Sequence, residues 1–298
     1  MKVTVQIPTY NQEKFIGKTI ESALQQDYTD LEIVVLDDCS PDNTFEVAKK
    51  YESEKVRVFK NEKNIGRAFN YHKLLYELDT GEYIVNLDGD DYFCDSHFIS
   101  RAIEKIKQNV GVLFYQSCIM SKGEGSEFRF QHKLLGDKSE GVMDGKEYFK
   151  RFHKNDFFGH LSTVYNAMKA KEIGFYKYNN ITADSESLLK LALNGKVFLD
   201  NKITGIWNIH DGNESKSMLT KNSAIIDAFG RIRDYSISFI GIEDAKKWHE
   251  EAMNINRKSF TELVAKHDFS KFLQESQFSD YLSASFWKLV TKKLIGRI

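Results

Sequence analysis

Three carboxylates crowd four positions of the chain, in Asp88-Gly89-Asp90-Asp91. They follow an apolar run, Tyr83–Leu87, that reads as a buried strand. So much negative charge at a strand end is costly unless a cation or hydrogen-bond donors neutralise it. Hard divalent ions such as Mg²⁺ and Mn²⁺ favour oxygen ligands and often share them with a substrate phosphate. The segment therefore points to a metal–diphosphate site. An acid-x-acid triplet alone is a weak motif, so its neighbours decide the matter.

Two more polar clusters occupy equivalent places. Pro8-Thr9-Tyr10-Asn11 follows the apolar run Val3–Ile7, and Asp37-Asp38-Cys39-Ser40 follows Leu31–Leu36. In open α/β sheets, ligands bind outside the carboxyl ends of the strands. Three polar clusters at three such ends define one crevice. Each also has a plainer reading. Asp37-Asp38 could be a turn and a helix cap. Asn64-Ile65-Gly66-Arg67 could be a turn before a helix rather than a phosphate cradle.

The elements that must position these residues alternate. Strands at Val3–Ile7, Leu31–Leu36, Val56–Phe59 and Tyr83–Leu87 are interleaved with helices at Gln12–Gln25, Asp42–Tyr51, Arg67–Leu78 and Ser96–Gln108. Ser96 is the expected N-cap of the last. The alternation predicts an α/β fold with a Rossmann-like, mostly parallel central sheet and helices on both faces. After about Gly111 the rhythm changes. Strands at Val112–Met120, Glu127–His132, Leu161–Ala167, Val197–Leu199 and Thr204–Ile209, with helices at Asp144–Phe152 and Asp184–Asn194, extend the same sheet. From about Ser217 helical periodicity dominates, so residues 217–298 read as a C-terminal helical module.

The totals bound the function. The 298 residues are enough for one large or two small domains, and 41% hydrophobic with 29% charged residues is the balance of a globular protein. A net charge of −1 offers no basic field for nucleic acid. Cys39, Cys94 and Cys118 are too scattered for a disulfide framework or a thiolate zinc site, and read as small buried residues in a reducing compartment. A strand starting at Val3 leaves no room for a signal peptide, and no apolar run reaches the length of a membrane span.

Taken together and in order, the motifs resemble those of the family 2 inverting glycosyltransferases, which have the GT-A fold. The matching stretches are Val5–Asn11, Val35–Thr44, Asn64–Asn70 and Gly81–Tyr92, with weaker likeness through Ser162–Tyr176, Thr182–Asn194 and His210–Ser217. The resemblance implies a nucleotide-sugar-binding half (1–110) and an acceptor-binding half (111–216) of one domain. It implies that Tyr10, Pro8 and Thr9 flank the nucleotide base. Asp38 would accept from a base N–H, which favours uracil, with Asp37 as its neighbour. Asn64, Gly66 and Arg67 would meet the donor phosphates or ribose, although Arg67 could equally be a surface cation. Asp88 would lie against the ribose or share the metal, a Mn²⁺ or Mg²⁺ ion, and Gly89 would belong to the donor-binding set. Asp90 would ligate that metal directly, and Asp91 would either ligate it too or stand behind a ligand.

An inverting transfer needs a base near the acceptor hydroxyl. The family's acidic motif falls on Thr182-Ala183-Asp184-Ser185-Glu186, with Ala183 where a Glu is expected. Asp184 is the candidate base and Glu186 the runner-up. Both could instead be acids favoured by a helix N-terminus. His210 resembles a position near the metal or diphosphate, and His160 a position on the acceptor side.

The implied partners are a UDP-sugar and a carbohydrate or lipid-linked glycan acceptor, in synthesis of a bacterial surface polysaccharide such as capsule or lipopolysaccharide. The basic, amphipathic stretch 286–298 could lie on the inner face of the cytoplasmic membrane, or pack on its own domain or another subunit. The rival functions are a non-catalytic sugar-nucleotide or glycan-binding module and a phosphoryl-transfer enzyme with a strand-end aspartate as nucleophile.

Overall fold

In the computed structural model, residues 1–123, 128–132, 140–154, 160–213 and 222–266 are described. The expected amphipathic stretch 286–298 lies outside them. The first half runs β1 (Val3–Thr9), α1 (Ile16–Leu24), β2 (Leu31–Asp37), α2 (Thr44–Lys49), β3 (Val56–Lys60), α3 (Arg67–Lys73) and β4 (Tyr83–Asn86). Then come β5 (Tyr92–Phe93), α4 (Phe98–Gln108), β6 (Val112–Gly123), β7 (Phe128–His132), β8 (Gly141–Asp144), α5 (Gly145–Lys150), β9 (Thr163–Asn166) and α6 (Ala167–Glu172). The described chain ends with α7 (Ala183–Ala192), β10 (Lys196–Ile209), α8 (Asn222–Ile240) and α9 (Ile242–Lys266).

One sheet contains every described strand, in the order β3-β2-β1-β4-β9-β6-β10-β5, with β7 on β6 and β8 on β10. β1 pairs parallel with β2 and β4, β2 with β3, and β6 with β10. The crossover through α4 carries the chain past one position, and β9 fills that gap antiparallel to β4 and β6. The long strands therefore all point the same way, and their carboxyl ends share one edge. β1 and β2 are buried along their whole length, as strands covered on both faces must be.

Pro8 lies inside β1 rather than after it. The Pro8 carbonyl accepts from Gly89 N–H, so the missing amide hydrogen faces the side where the β1–β4 ladder has already ended at Asn86. The expected strands 197–199 and 204–209 are one strand, β10, interrupted by register shifts between Asp200 and Gly205. These bulges hide a single strand behind a polar break. The predicted helix 67–78 ends as α3 and continues as a π-helical turn, Leu74–Leu78. Ser96 is not a cap: His97 precedes α4 and makes no side-chain cap bond. The cysteines diverge from expectation, with Cys118 buried, Cys39 half-buried and Cys94 exposed.

Two apolar layers hold the sheet. Ile7, Ile20, Val85 and Phe98 belong to one and Tyr71, Phe114, Tyr148 and Leu188 to the other. Each fully buried large side chain contributes roughly 1.5–3 kcal/mol. A third cluster, with Phe149, Leu189, Ile232 and Trp248, joins α8 and α9 to α5 and α7. Among the described residues no helix is long and apolar enough to cross a membrane.

Candidate active site

The carboxyl edge of the sheet opens into a cleft of about 460 Å³, lined among others by Tyr10, Asp38, Arg67, Asp90, Trp207 and Asn213. Its floor is built by strand ends that turn sharply. Asn11 and Cys39, one after each of β1 and β2, take left-handed conformations (φ 56° and 61°) that most residues avoid. The two turns are tied together: Ser40 Oγ accepts from Asn11 N–H at 2.9 Å and Thr44 Oγ1 from Gln12 N–H at 2.7 Å. Pro8, Thr9 and Tyr10 line one side of the cleft, and Tyr10 is nearly half exposed, at 47%.

The two acids after β2 do different things. Asp37 is fully buried away from the cleft, and accepts from Ser40 N–H at 3.0 Å and from the Ser40 hydroxyl. Asp38 reaches the cleft and organises its far side. Its carboxylate accepts from Asn61 Nδ2 at 2.8 Å, Ile65 N–H at 2.9 Å and Gly66 N–H at 2.9 Å. That anchors the loop holding Asn64, whose Oδ1 also accepts from Gly66 N–H at 3.1 Å. Gly66 has φ 89°, a left-handed conformation that favours glycine, and a Cβ there would meet only the end of the Asn179 side chain, at 2.9 Å.

The acidic loop is pinned against β1 by Gly89. A Cβ at this position would sit 2.5 Å from Thr9 Oγ1 and 2.4 Å from Gln12 Oε1. The Thr19 hydroxyl donates to the carbonyls of Gly89 and Asp91 at 2.9 and 2.7 Å. The three carboxylates then diverge. Asp88 accepts from the Tyr71 hydroxyl and lies 3.4 Å from His160 Nε2 and 3.7 Å from Arg67 Nη1. Burial works to raise the Asp88 carboxyl, but His160, Arg67 and Tyr71 outweigh it and hold it well below the usual carboxylate range. Asp91 turns away to accept from Asn208 N–H at 2.9 Å. Burial, then the neighbouring Asp90 and Asp88 carboxylates, push it well up.

Asp90 faces His210, whose Nε2 is 2.8 Å from Asp90 Oδ2. Gly212 N–H donates to His210 Nδ1 at 3.1 Å, so in the neutral ring Nε2 carries the proton and donates to Asp90. The ring is stacked on Phe15, with centroids 4.5 Å apart. Asn213 Nδ2 also donates to Asp90 Oδ2, at 3.3 Å. Among the described residues no three His, Cys, Asp or Glu side chains form a ready metal cluster. A carboxylate and an imidazole at the diphosphate end nonetheless suit a divalent ion that takes its remaining ligands from phosphate and water.

The two acids of α7 part company. Asp184 Oδ1 accepts from Ser185 N–H at 2.7 Å, and Oδ2 lies 3.7 Å from His160 Nδ1. Glu186, the runner-up for the base, has other partners. It is buried and gripped by Arg231 of α8 through Nε and Nη2 at 3.0 and 2.7 Å, and by Lys190 Nζ at 2.6 Å. Burial would raise its carboxyl, but Arg231 and Lys190 hold it down. Glu186 therefore fastens α7 to α8. His160, expected on the acceptor side, is buried between Asp88 and Asp184.

Several cleft residues were not anticipated. Gln12, Asn70, Trp207 and Asn213 line it, and Tyr71 supports Asp88 from below. Asn213 could have been sought three residues after His210 in the same turn. Trp207 could not, because only the pairing of β10 brings it to this edge.

A crevice at the carboxyl edge of a Rossmann-like sheet, with an acidic loop opposite an aromatic residue, defines a GT-A type nucleotide-binding fold. The chain belongs to glycosyl transferase family 2, whose family model matches residues 4–174. It is similar to the poly(ribitol-phosphate) beta-N-acetylglucosaminyltransferase TarS of Staphylococcus aureus (strain Mu50 / ATCC 700699), 37% identical over 121 residues. That match covers 36% of this chain and 21% of TarS, so it spans about a fifth of the relative's length. Among solved structures, S. aureus TarS 1–349 in complex with UDP-GlcNAc superposes with a TM-score of 0.72 at 20% identity, over 91% of this chain and 77% of that one. The mannosyltransferase PcManGT from Pyrobaculum calidifontis, in complex with GDP-Man and Mn²⁺, superposes with a TM-score of 0.59 at 16% identity, over 97% and 83%.

Proposed function

We propose that this chain is an inverting glycosyltransferase that moves a sugar from a UDP-sugar to a hydroxyl of a glycan or lipid-linked glycan, in synthesis of a bacterial surface polysaccharide or glycoconjugate. The observation that carries this reading is the convergence of Tyr10, Asp38, Arg67 and Asp90 on one cleft, with Asp184 joined to it through His160. The base packs against Tyr10 beside Pro8 and Thr9. Asp38 has three protein donors and, with about four acceptor positions on a carboxylate, room for one base N–H. Arg67 and the Asn64–Gly66 loop face the ribose and phosphates.

Asp90 and His210 are the residues that would hold Mn²⁺ or Mg²⁺, His210 through Nε2 in the tautomer that carries its proton on Nδ1, with Asp88 beside them. A bound divalent ion would offset the charge of the departing diphosphate. In a single in-line displacement the acceptor oxygen bonds to the anomeric carbon as the carbon–phosphate-oxygen bond breaks. Asp184 takes the hydroxyl proton. The setting is the cytoplasmic side of the membrane, where lipid-linked acceptors are presented. Membrane contact or self-association is assigned to the basic, amphipathic sequence 286–298 and the C-terminal helices.

The test is UDP release and sugar transfer by Asp90→Ala and Asp184→Asn. Each is expected to lose about 10³-fold in turnover. Wild-type-like turnover by both would overturn the assignment.

A further inference from the structure

We propose that His160 is a positioning residue that orients the Asp184 carboxylate and ties it to the donor end of the cleft. The proposal rests on the reading of Asp184 as the base. The imidazole is 4% exposed and spans two acids from distant parts of the chain. Nε2 lies 2.9 Å from the Tyr71 hydroxyl and 3.4 Å from Asp88 Oδ1. Nδ1 points the opposite way, at Asp184 Oδ2, 3.7 Å off, and makes no hydrogen bond among the described residues.

A buried polar atom without a partner carries a penalty. The nearest remedy is the Asp184 carboxylate: Tyr71 donates to Asp88, so Nε2 donates to Tyr71, and in the doubly protonated ring Nδ1 carries a proton too, so that closing the gap by about 0.8 Å makes an ordinary hydrogen bond. Asp184 is otherwise held at one oxygen, Oδ1, by its neighbour Ser185. A carboxylate held at one oxygen can still swing about that contact. A second contact from His160 fixes its plane. The imidazole is itself immobilised: it meets Tyr71 edge-on with centroids 4.9 Å apart, and Tyr71 stacks on Tyr176 at 5.0 Å. Tyr71 in turn donates to Asp88, so the chain Asp88–Tyr71–His160–Asp184 joins the acidic loop to α7 through one buried ring.

Two amide replacements separate this role from mere core filling. Asn is short enough to place its polar end near Nδ1, facing Asp184. Gln extends toward the Nε2 position, facing Tyr71. His160→Gln is expected to lose about 100-fold in kcat while the KM for the UDP-sugar changes less than about threefold. His160→Asn is expected to stay within about tenfold of the wild-type kcat. Both should show a thermal upshift with UDP, which checks that the donor end is folded. The proposal is overturned if His160→Gln turns over like wild type, if His160→Asn falls as far as His160→Gln, or if the loss appears in KM. Absence of transfer by the wild-type chain across donors and acceptors would instead overturn the reading of Asp184 as a base, and the positioning role with it.

Discussion

The two ends of the central strands treat charge in opposite ways. At the amino-terminal end, Glu32 of β2 is surrounded by partners. Lys2 Nζ is 2.8 Å away and Arg57 Nη2 3.4 Å, and the Thr4 and Thr80 hydroxyls donate at 2.8 and 2.5 Å. Burial would raise the Glu32 carboxyl, but these partners overcome it and hold it at about 2. At the carboxyl-terminal end, three acids share one loop, and burial together with the Asp90 and Asp88 carboxylates drives Asp91 up. One end is electrostatically satisfied and the other leaves charge for a ligand to complete. Activity and stability are thus written at opposite edges of the same strands, and substitutions should separate them.

The largest effect is expected at the ligand end. Asp90→Ala should cut turnover about 10³-fold while leaving the melting temperature unchanged or higher. A clear fall in melting temperature would show that the acidic loop also holds the fold, and would erase the contrast. Glu32→Gln should do the reverse, costing up to about 3 kcal/mol at pH 7 with turnover intact. The Glu32 carboxyl is depressed from 4.5 to about 2, so its stabilisation is present above pH 4.5 and is lost as pH falls through 2. Urea melts of the wild type and Glu32→Gln should therefore converge near the acid limit. A gap that persists there would remove electrostatics as the cause.

Helix α7 repeats the contrast over a single turn, between Asp184 and Glu186. Glu186→Gln keeps its shape but gives up the ion pairs to Arg231 and Lys190, and should cost about 2 kcal/mol with kcat unchanged. A loss of kcat without loss of stability would return Glu186 to the chemistry. The smallest effect is expected for Asp91→Asn in metal-free buffer, a gain of about 1 kcal/mol at neutral pH. Its carboxyl is raised, so the ionised form is the costly one and the gain should fade as pH falls. A destabilised Asp91→Asn would mean that the bond to Asn208 outweighs the repulsion.

Much of this architecture was legible where the governing interactions are local. Strand ends at Thr9, Asp37 and Asn86 announce themselves by an apolar run breaking into turn residues, and parallel pairing brings such ends to one edge. What distinguishes Asp184 from Glu186 is not local. Arg231 lies 45 positions downstream of Glu186 and His160 lies 24 upstream of Asp184. Two acids at a helix start look alike until those partners arrive. The same holds for the interrupted β10, whose bulged middle reads as a loop because its pairing with β6 is long-range. The sequence places Gly89 only among the donor-binding residues. Its necessity comes from contact with Thr9 and Gln12, some 80 positions away.

Trp207 lines the cleft, whereas Trp248 is sealed in the helical module with its indole N–H on the Phe149 carbonyl at 3.1 Å. An indole at the rim of a nucleotide pocket changes its emission when a bound molecule displaces the water around it. Trp248 does not line the cleft, and Trp287, the third tryptophan, lies outside the described residues. Trp207 therefore offers an intrinsic optical gauge of occupancy. Binding of the proposed donor can be tested by titration on unlabelled protein, with Trp207→Phe as the blank.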